Sequence, residues 1–553
     1  MRRMWAVVGL PLVVLCLGCN GSSTDSTNNT KISSSSASTN SACREQMKRS
    51  LEMLEPDRLG ISADSETAVA QLNDWLERCA EKSTDSAALG ADIQKLLQPV
   101  LSPQQLNRLS SGRFVDGDGE HIRNCLLHKV LANLEFESAE TELGRSVQVF
   151  HYIPRNIALA PASSQTLPLP PYEILLLGRG TAKDIAWVFA DVLRQLKIDT
   201  VILGPAGSVA GETATSEQRR WLVGVLLDEH VYLFDPQIGS PIPSPLDTGQ
   251  TPTVQRPATL AEVLKDDRIL RDLDFSSEQP YPLYADDLRQ LKVEVVGTTS
   301  SWSSSMQRLQ AALSGNGSAV VYDGLQDDTD SVGLISRVAN FGGQYWGKDD
   351  VAVWQYPESQ LEAFEHLDET QRQLLALWQL PLGAPVAVGY NPQTRQITIG
   401  QPENGQLKTR TMHLLGDYRT AIGNYVKIRM RHARINPRLP IPPKIRLMHA
   451  RAEDDAFFWM GLSQFEQGHL EAATSTFRDY LRRYAQQPNA AWPAHCRSML
   501  ALSLAESGDV SAAVDELKNE LKKADLAARL RDRYQFWIRR WSAIQPSPRN
   551  GES

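Results

Sequence analysis

The chain has 553 residues, of which 42% are hydrophobic and 22% charged, and its formal net charge is −8. These are ordinary values for a globular protein. A chain of this length cannot bury its apolar residues in one core, so three or more domains are expected. The negative net charge provides no general attraction to nucleic acid, which disfavours that class of partner.

The N-terminus has the features of a targeting segment. Two arginines precede an apolar stretch, 4–17, which is shorter than the roughly 20 residues that span a bilayer. The residues leading to Cys19 (LCLGC) resemble a bacterial lipobox, although a cysteine stands where that motif usually has leucine. The resemblance implies a lipoprotein signal peptide over 1–19 and acylation of Cys19, which would hold the protein on a membrane. The alternative is an ordinary secretory signal cut near Gly21.

Residues 20–42 are Ser, Thr and Asn with almost nothing to bury, and we predict a disordered tether there. The expected location is the cell envelope, as a membrane-anchored lipoprotein that faces the periplasm or the exterior. Disulfides persist in such a compartment. Cys43 and Cys79 lie in helical-looking segments and could form a bridge, while free thiols are an equal alternative.

Residues 43–139 are predicted to be a helical region, because apolar residues recur there at spacings of three and four. An acidic, glycine-containing run, 116–119, leads into the last of these helices. It does not fit an EF-hand loop, which needs glycine at its sixth position and a carboxylate at its twelfth. The chain has His121 and Leu127 at those positions, so an acidic turn is favoured over a calcium site.

His121, Cys125 and His128 fall on one face of the same helix. A metal site would need a fourth ligand, or an open position with a supporting shell, and no further motif supplies one. Packing of the cysteine inward, with the histidines at its margin, is therefore favoured over metal binding. No metal and no cofactor are predicted.

Residues 140–279 hold the stretch around which the chain is organised. A helix that is apolar on nearly every side is predicted over 183–196, which indicates that it is buried centrally. A Gly-Thr pair precedes it. Three β-type runs follow, at 200–204, 221–227 and 231–234.

This order of elements resembles the core of the bacterial transglutaminase-like superfamily, a papain-like cysteine fold. In that family a nucleophilic cysteine starts the helix, a histidine stands on the next strand and an aspartate on the strand after it. In register with this pattern, the three positions carry Ala182, Arg219 and Asp235. The resemblance implies the fold without its chemistry, because both the nucleophile and the base are missing.

No neighbouring residue is expected to take over the reaction. Thr181 adjoins the nucleophile position but would need a positioned base. His230 lies in a hairpin turn away from the inferred site, and Arg219 stays protonated. We therefore predict no catalytic residue, with Asp235 kept as a structural carboxylate that caps its turn or pairs with Arg219 or Arg220.

Residues 280–450 are predicted to be a mixed α+β extension to which no activity is assigned. Residues 451–545 hold an internal repeat with a closing helix. Four positions recur 40 residues later: Gly461, Gly468, Ala473 and Phe477 return as Ala501, Gly508, Ala513 and Leu517. This pattern resembles tetratricopeptide repeats, which implies a short stack of helices that docks a protein or peptide partner.

The predicted fold class is α+β, with an N-terminal helical region, a transglutaminase-like core, a mixed extension and all-α repeats. The favoured function is that of a membrane-anchored pseudoenzyme that binds or scaffolds in the cell envelope. The alternative is a cysteine-type peptidase or acyl transferase acting on envelope protein or peptidoglycan peptides. A structural helper in envelope assembly would differ from the first only in its partner. Residues 182 and 219 both favour the non-catalytic hypothesis.

Overall fold

A computed structural model describes residues 33–56, 62–79, 90–134, 140–159, 166–205, 221–276, 278–313, 318–328, 331–384, 388–391, 393–394, 396–399, 405–432, 441–523 and 526–544. The predicted signal peptide with Cys19, and the predicted tether up to residue 32, lie outside these ranges. The chain is helical from Ser33, so residues 33–42 of the predicted tether begin a helix. Among the described helices, none combines the length and the apolar character needed to cross a bilayer.

The N-terminal region is helical: α1 (Ser33–Glu52), α2 (Ser62–Cys79), α3 (Ala91–Leu97), α4 (Pro103–Leu109) and α5 (Asp116–Ala132). A disulfide between Cys43 and Cys79 joins α1 to α2. Of the two alternatives for these cysteines, a bridge or free thiols, the structure contains the bridge. The acidic run opens α5, where the Asp118 carboxylate accepts a hydrogen bond of 3.1 Å from the Val115 backbone N–H. That contact caps the helix, as expected for an acidic turn.

Helices and strands alternate in the middle of the chain: α6 (Glu142–Asn156), β1 (Ala158–Leu159), α7 (Pro171–Leu177), β2 (Arg179–Gly180), α8 (Ala182–Arg194), β3 (Thr200–Pro205), β4 (Leu222–Leu227), β5 (His230–Asp235), β6 (Ser240–Pro241), α9 (Leu260–Lys265) and α10 (Arg268–Arg271). The following segment continues in the same way: β7 (Leu291–Val295), α11 (Ser304–Ala312), α12 (Leu334–Gly342), β8 (Val351–Val353), α13 (Tyr356–Glu365), α14 (Glu369–Gln379), β9 (Val388–Asn391), β10 (Gln396–Ile399), α15 (Gln406–Leu414) and α16 (Tyr418–His432). The fold is therefore of the mixed helix-and-sheet kind.

Six strands form the central sheet, in the order β6-β5-β4-β3-β7-β8. Strands β3 to β6 are antiparallel neighbours, with Val223 opposite Phe234 and Val201 opposite Gly224. Strand β7 pairs with the other edge of β3 in antiparallel fashion, and β8 pairs with β7 in parallel. Two strands from beyond residue 280 thus complete the sheet, which continues across the domain boundary predicted at that residue.

Helix α8 covers one face of this sheet, as its apolar sequence predicts. The Phe189 ring on α8 lies 4.9 Å from that of Phe150 on α6 and 5.3 Å from that of Phe234 on β5. Trp187, also on α8, is buried. A second hydrophobic cluster, which includes Leu233 of β5 together with residues of α9 and α12, covers the opposite face. The sheet is thus buried on both sides.

The C-terminal part is a helical array: α17 (Pro443–Glu466), α18 (Leu470–Tyr484), α19 (Pro493–Glu506), α20 (Val510–Leu521) and α21 (Ala528–Ala543). Gly468 and Gly508, at φ +77° and +90°, make the turns after α17 and α19, because glycine adopts this conformation without steric cost. A Cβ on Gly461 would lie 2.6 Å from the Phe477 ring, so the close helix crossing needs the small residue. The predicted boundary at 450/451 falls inside α17.

The array packs directly against the core. Both contribute to one hydrophobic cluster that runs from α5 through α8 to α21. Arg155 at the end of α6 forms two hydrogen bonds, of 3.0 and 3.1 Å, with the Glu466 carboxylate at the end of α17. On α21, Trp541 Nε1 and Arg540 Nε each donate to the Pro252 carbonyl at 3.0 Å. The core and the array are therefore joined by buried apolar and polar contacts.

Candidate functional site

Helix α8 begins at Ala182, the predicted nucleophile position. Thr181 is its N-cap: the Thr181 hydroxyl accepts a hydrogen bond of 3.2 Å from the Asp184 backbone N–H, and the Asp184 carboxylate accepts one of 2.7 Å from the Thr181 backbone N–H. This reciprocal arrangement is the capping box expected from a threonine followed three residues later by an acid. Ala182 is only 4% exposed and offers a methyl group at the helix start.

Tyr356, the first residue of α13, covers this helix start. Its hydroxyl donates to Asp184 Oδ1 at 2.9 Å and lies 3.2 Å from Thr181 Oγ1. Its ring stacks on Trp354, with centroids 5.1 Å apart, and Lys183 Nζ lies 5.2 Å from its centre. Burial raises the pKa of Asp184, although its hydrogen bonds with Thr181 and Tyr356 oppose that shift. The positive end of α8 is therefore satisfied by the protein's own carboxylate and shielded by an aromatic ring.

Asp235, the predicted aspartate position, lies on the other face of the sheet. Because side chains alternate along a strand and Phe234 faces α8, Asp235 points away from α8, to the side occupied by Leu233. Its carboxylate accepts hydrogen bonds from the Gln237 backbone N–H at 2.7 Å and from the Tyr281 hydroxyl at 2.7 Å. The sequence prediction that this carboxylate caps its turn agrees with these contacts.

Of the three positions in register with the family triad, the two that the structure describes are not brought together. Ala182 and Asp235 lie on opposite sides of the sheet, and Arg219 lies outside the described residues. His230 is exposed at the turn between β4 and β5. The hydroxyl of Thr181, which precedes the nucleophile position, is engaged by Asp184 and Tyr356.

A cysteine and a histidine do meet elsewhere, on α5. Cys125 Sγ lies 3.5 Å from His121 Nε2, and Asp191 of α8 is close enough to act on both by its charge. His121 Nε2 also lies 2.8 Å from the Val321 carbonyl oxygen. A carbonyl oxygen can only accept, so Nε2 must carry the hydrogen in this contact. That nitrogen cannot then take a proton from the thiol.

The electrostatics of this pair also oppose catalysis. Burial, and then the negative charge of Asp191, raise the pKa of the Cys125 thiol. Burial lowers the pKa of His121 to about 4 and that of His128 to about 3. A reactive cysteine needs the opposite shift, towards a thiolate beside a positive charge. Cys125 packs inward as predicted, whereas His128, which was predicted at the margin, is itself buried at 1% exposed. Within the described ranges no group of three or more His, Cys, Asp or Glu residues could hold a metal ion.

A cavity of about 470 Å³ lies beside this pair, and we call it the α5–α8 cavity. It is lined by α5, α8 and α13 together with the segments around 170–173 and 298–303. Arg123 of α5 forms ion pairs with Glu120 and Glu173 at its wall. Burial raises the pKa of Glu173 to about 7, an effect that the charge of Arg123 only partly offsets.

Comparisons of the chain with protein-family models, with curated proteins and with solved structures find no match. The transglutaminase-like and tetratricopeptide-like assignments therefore stay predictions from residue pattern.

Sequence reasoning missed two features of the site. The cover by Tyr356 has no local signal, because that residue is separated from Asp184 by 172 positions. The α5–α8 cavity likewise forms from segments that are distant in the chain. The capping role of Asp184, by contrast, was readable from its spacing to Thr181.

Proposed function

We propose that this protein is a membrane-anchored, non-catalytic member of the transglutaminase-like superfamily that acts as a binding or scaffolding module in the cell envelope. The observation that carries the proposal is the start of α8. There an alanine stands at the nucleophile position, and the helix end is filled by the hydrogen bonds of Thr181, Asp184 and Tyr356. No carboxylate–histidine pair faces that helix end among the described residues, since Asp235 is bonded to Tyr281 on the far side of the sheet.

The rate of thiol labelling tests this proposal against a cysteine-type peptidase or acyl transferase. Cys125 and Cys496 are buried free thiols, and burial raises the pKa of both. We expect iodoacetamide to label the native protein slowly and to label both residues after denaturation. Cys125→Ser is the matched control, because it removes the thiol that contacts His121. A single rapidly labelled cysteine in the native protein, protected by an envelope peptide, would establish the enzyme instead.

The anchor is proposed from the lipobox-like residues that end at Cys19. Several acyl chains bind a bilayer far more firmly than one, so an acylated protein should remain with membranes through a high-salt wash. In a bacterial host, Cys19→Ser should move the protein to the soluble envelope fraction. A serine variant that stays on the membrane would contradict acylation of Cys19.

The helical array is proposed to dock a protein partner. One side of it already packs on the core through α19 and α21. The helices α18 and α20 carry exposed charges, among them Arg478 and Arg482 of α18. We therefore expect Arg478→Glu with Arg482→Glu to weaken capture of the partner by the full-length protein. Arg289→Glu, an exposed charge outside the array, is the control, and equal capture by all variants would refute docking through α18.

A further inference from the structure

Five buried side-chain atoms on residues that line the α5–α8 cavity have no hydrogen-bond partner among the described residues: Arg123 Nε, Asn124 Oδ1, His128 Nε2, Glu173 Oε2 and Trp187 Nε1. The two donors, on Arg123 and Trp187, belong to side chains that already face carboxylates of the protein, Glu120 and Glu173 for the first and Asp191 for the second. Asn124 and His128 are more than nine-tenths buried. Native proteins leave few buried polar atoms unpaired, because each such atom costs free energy. The clustering of these atoms around one cavity indicates that the cavity is built to receive polar groups.

The charged residues that line the cavity indicate the charge of the ligand that it would bind. Eight carboxylates and four guanidinium groups line it. The two most buried guanidinium groups are already engaged, Arg123 by Glu120 and Glu173 and Arg194 by Asp191 and Asp323. The excess of negative charge is not balanced by histidine, since burial keeps the pKa of His128 near 3 and the ring neutral at pH 7.

The two unpartnered oxygens, Asn124 Oδ1 and Glu173 Oε2, agree with this excess of negative charge. A carboxylate oxygen can only accept hydrogen bonds, and so can the Asn124 carbonyl oxygen. Burial raises the pKa of Glu173 to about 7, as it does for a carboxylate that lacks sufficient positive charge nearby. A ligand that donates hydrogen bonds would pair these acceptor oxygens, and a positive charge on it would balance the carboxylates. A cavity of about 470 Å³ is far larger than a single metal ion requires, which favours an organic cation.

We propose that the α5–α8 cavity binds a small organic molecule bearing a protonated amine, with Glu173 and Asn124 accepting its hydrogen bonds. This inference rests on the proposed non-catalytic function, for which it names the class of ligand. The volume of about 470 Å³ is within the range of small-molecule sites. Exposed residues at the margin, among them Asp116 and Glu362, leave the cavity open to solvent.

Three four-carbon probes of matched length test the proposal: putrescine, 1,4-butanediol and succinate. Calorimetric titration of the full-length protein should show saturable binding of putrescine only. Potassium chloride at equal ionic strength controls for screening, and magnesium chloride tests a metal ion. Binding of succinate or butanediol at least as tight as that of putrescine would overturn the proposal, and so would magnesium binding that displaces putrescine.

Two variants place the ligand in the cavity. Glu173→Gln should weaken putrescine binding roughly tenfold or more, because it removes a charge-assisted hydrogen bond. Asn124→Leu removes an unpartnered atom, so it should fold normally and still weaken binding. Glu471→Gln, an exposed carboxylate on α18, should leave the affinity unchanged. Unchanged binding in both cavity variants would refute this assignment.

Failure of this inference is distinguishable from failure of the proposed function. If putrescine does not bind and thiol labelling is slow, the amine site in the cavity is refuted while the non-catalytic function stands. Saturable amine binding together with rapid labelling of one cysteine, or with incorporation of the amine into a peptide, would keep the cavity and overturn the non-catalytic function.

Discussion

The ion pair between Arg155 and Glu466 offers the sharpest test of how the core and the array are joined. The two side chains are 14% and 5% exposed, and two hydrogen bonds connect them. We consider the variant Arg155→Met, which keeps the length of the side chain and leaves the carboxylate in place. The only other hydrogen bond to that carboxylate from a side chain described here is from Asn156 Nδ2, at 3.5 Å.

The cost of this change can be worked out from the structure. Removing one partner of a buried pair costs about 3–5 kcal/mol. The carboxyl group can instead take up a proton, and neutralising a group of ordinary pKa 4.5 at pH 7 costs about 3.4 kcal/mol. The variant follows whichever of these two routes costs less. We therefore expect the free energy of unfolding to fall by about 3 kcal/mol at pH 7. At pH 5.5 the protonation route costs only about 1.4 kcal/mol, so most of the loss should disappear.

Urea unfolding at the two pH values measures these quantities. Glu466→Gln in the Arg155→Met background should recover most of the stability at pH 7, since no buried charge remains. Arg482→Met, which breaks an exposed pair with Asp479, should cost less than about 1 kcal/mol. The reasoning is refuted if Arg155→Met costs the same at both pH values, or if the array unfolds in a separate transition from the core.

Further predictions concern the helix start, the cavity and the disulfide. Ala182→Cys should gain no hydrolase or acyl-transfer activity in a peptide assay, because no histidine faces it in the described structure; measurable turnover would contradict the site geometry. Burial raises the pKa of Glu173 to about 7, so the folded protein holds this proton more tightly than the unfolded chain does. The resulting stabilisation is fully present below about pH 4.5 and is lost as the pH rises through about 7. Glu173→Gln should therefore flatten the fall in melting temperature between pH 5 and pH 8, and an unchanged slope would count against the shift. Cys43→Ser should destabilise α1 by up to about 4 kcal/mol, because the bridge closes a separation of 36 residues, and hydrogen exchange in α1 measures this.

Local patterns predicted the elements around the site well. The helix expected over 183–196 is α8, Ala182–Arg194, and the run expected over 200–204 is β3, Thr200–Pro205. The hydrophobic sequence of each segment carries this information, because both are buried on more than one side. The repeat of small residues in the array also had a direct structural meaning, as the close contact of Gly461 with Phe477 shows.

Long-range pairing was not predictable in the same way. Strand β7 is a five-residue alternating segment, and nothing in its sequence specifies that it pairs with β3 rather than with a strand nearer in the chain. The cover of α8 by Tyr356 depends on that pairing, because β8 lies beside β7 and leads into α13. The placement of Asp235, by contrast, follows from strand alternation once Phe234 is assigned to the face of α8.

The packing of the array against the core leaves only part of the array's surface accessible to a partner. His495 of α19 lies 2.8 Å from the Arg155 carbonyl oxygen, and α21 is fixed to the Pro252 carbonyl by Arg540 and Trp541. A peptide laid along this side would have to break those contacts and expose the hydrophobic cluster that both parts share. Such exposure costs about 25 cal/mol for each Å² of apolar surface, which a peptide of moderate affinity does not offset. A partner is therefore expected to bind the exposed side of α18 and α20. Truncation of the array is a poor test of such binding, because it would also expose the hydrophobic core that the array covers.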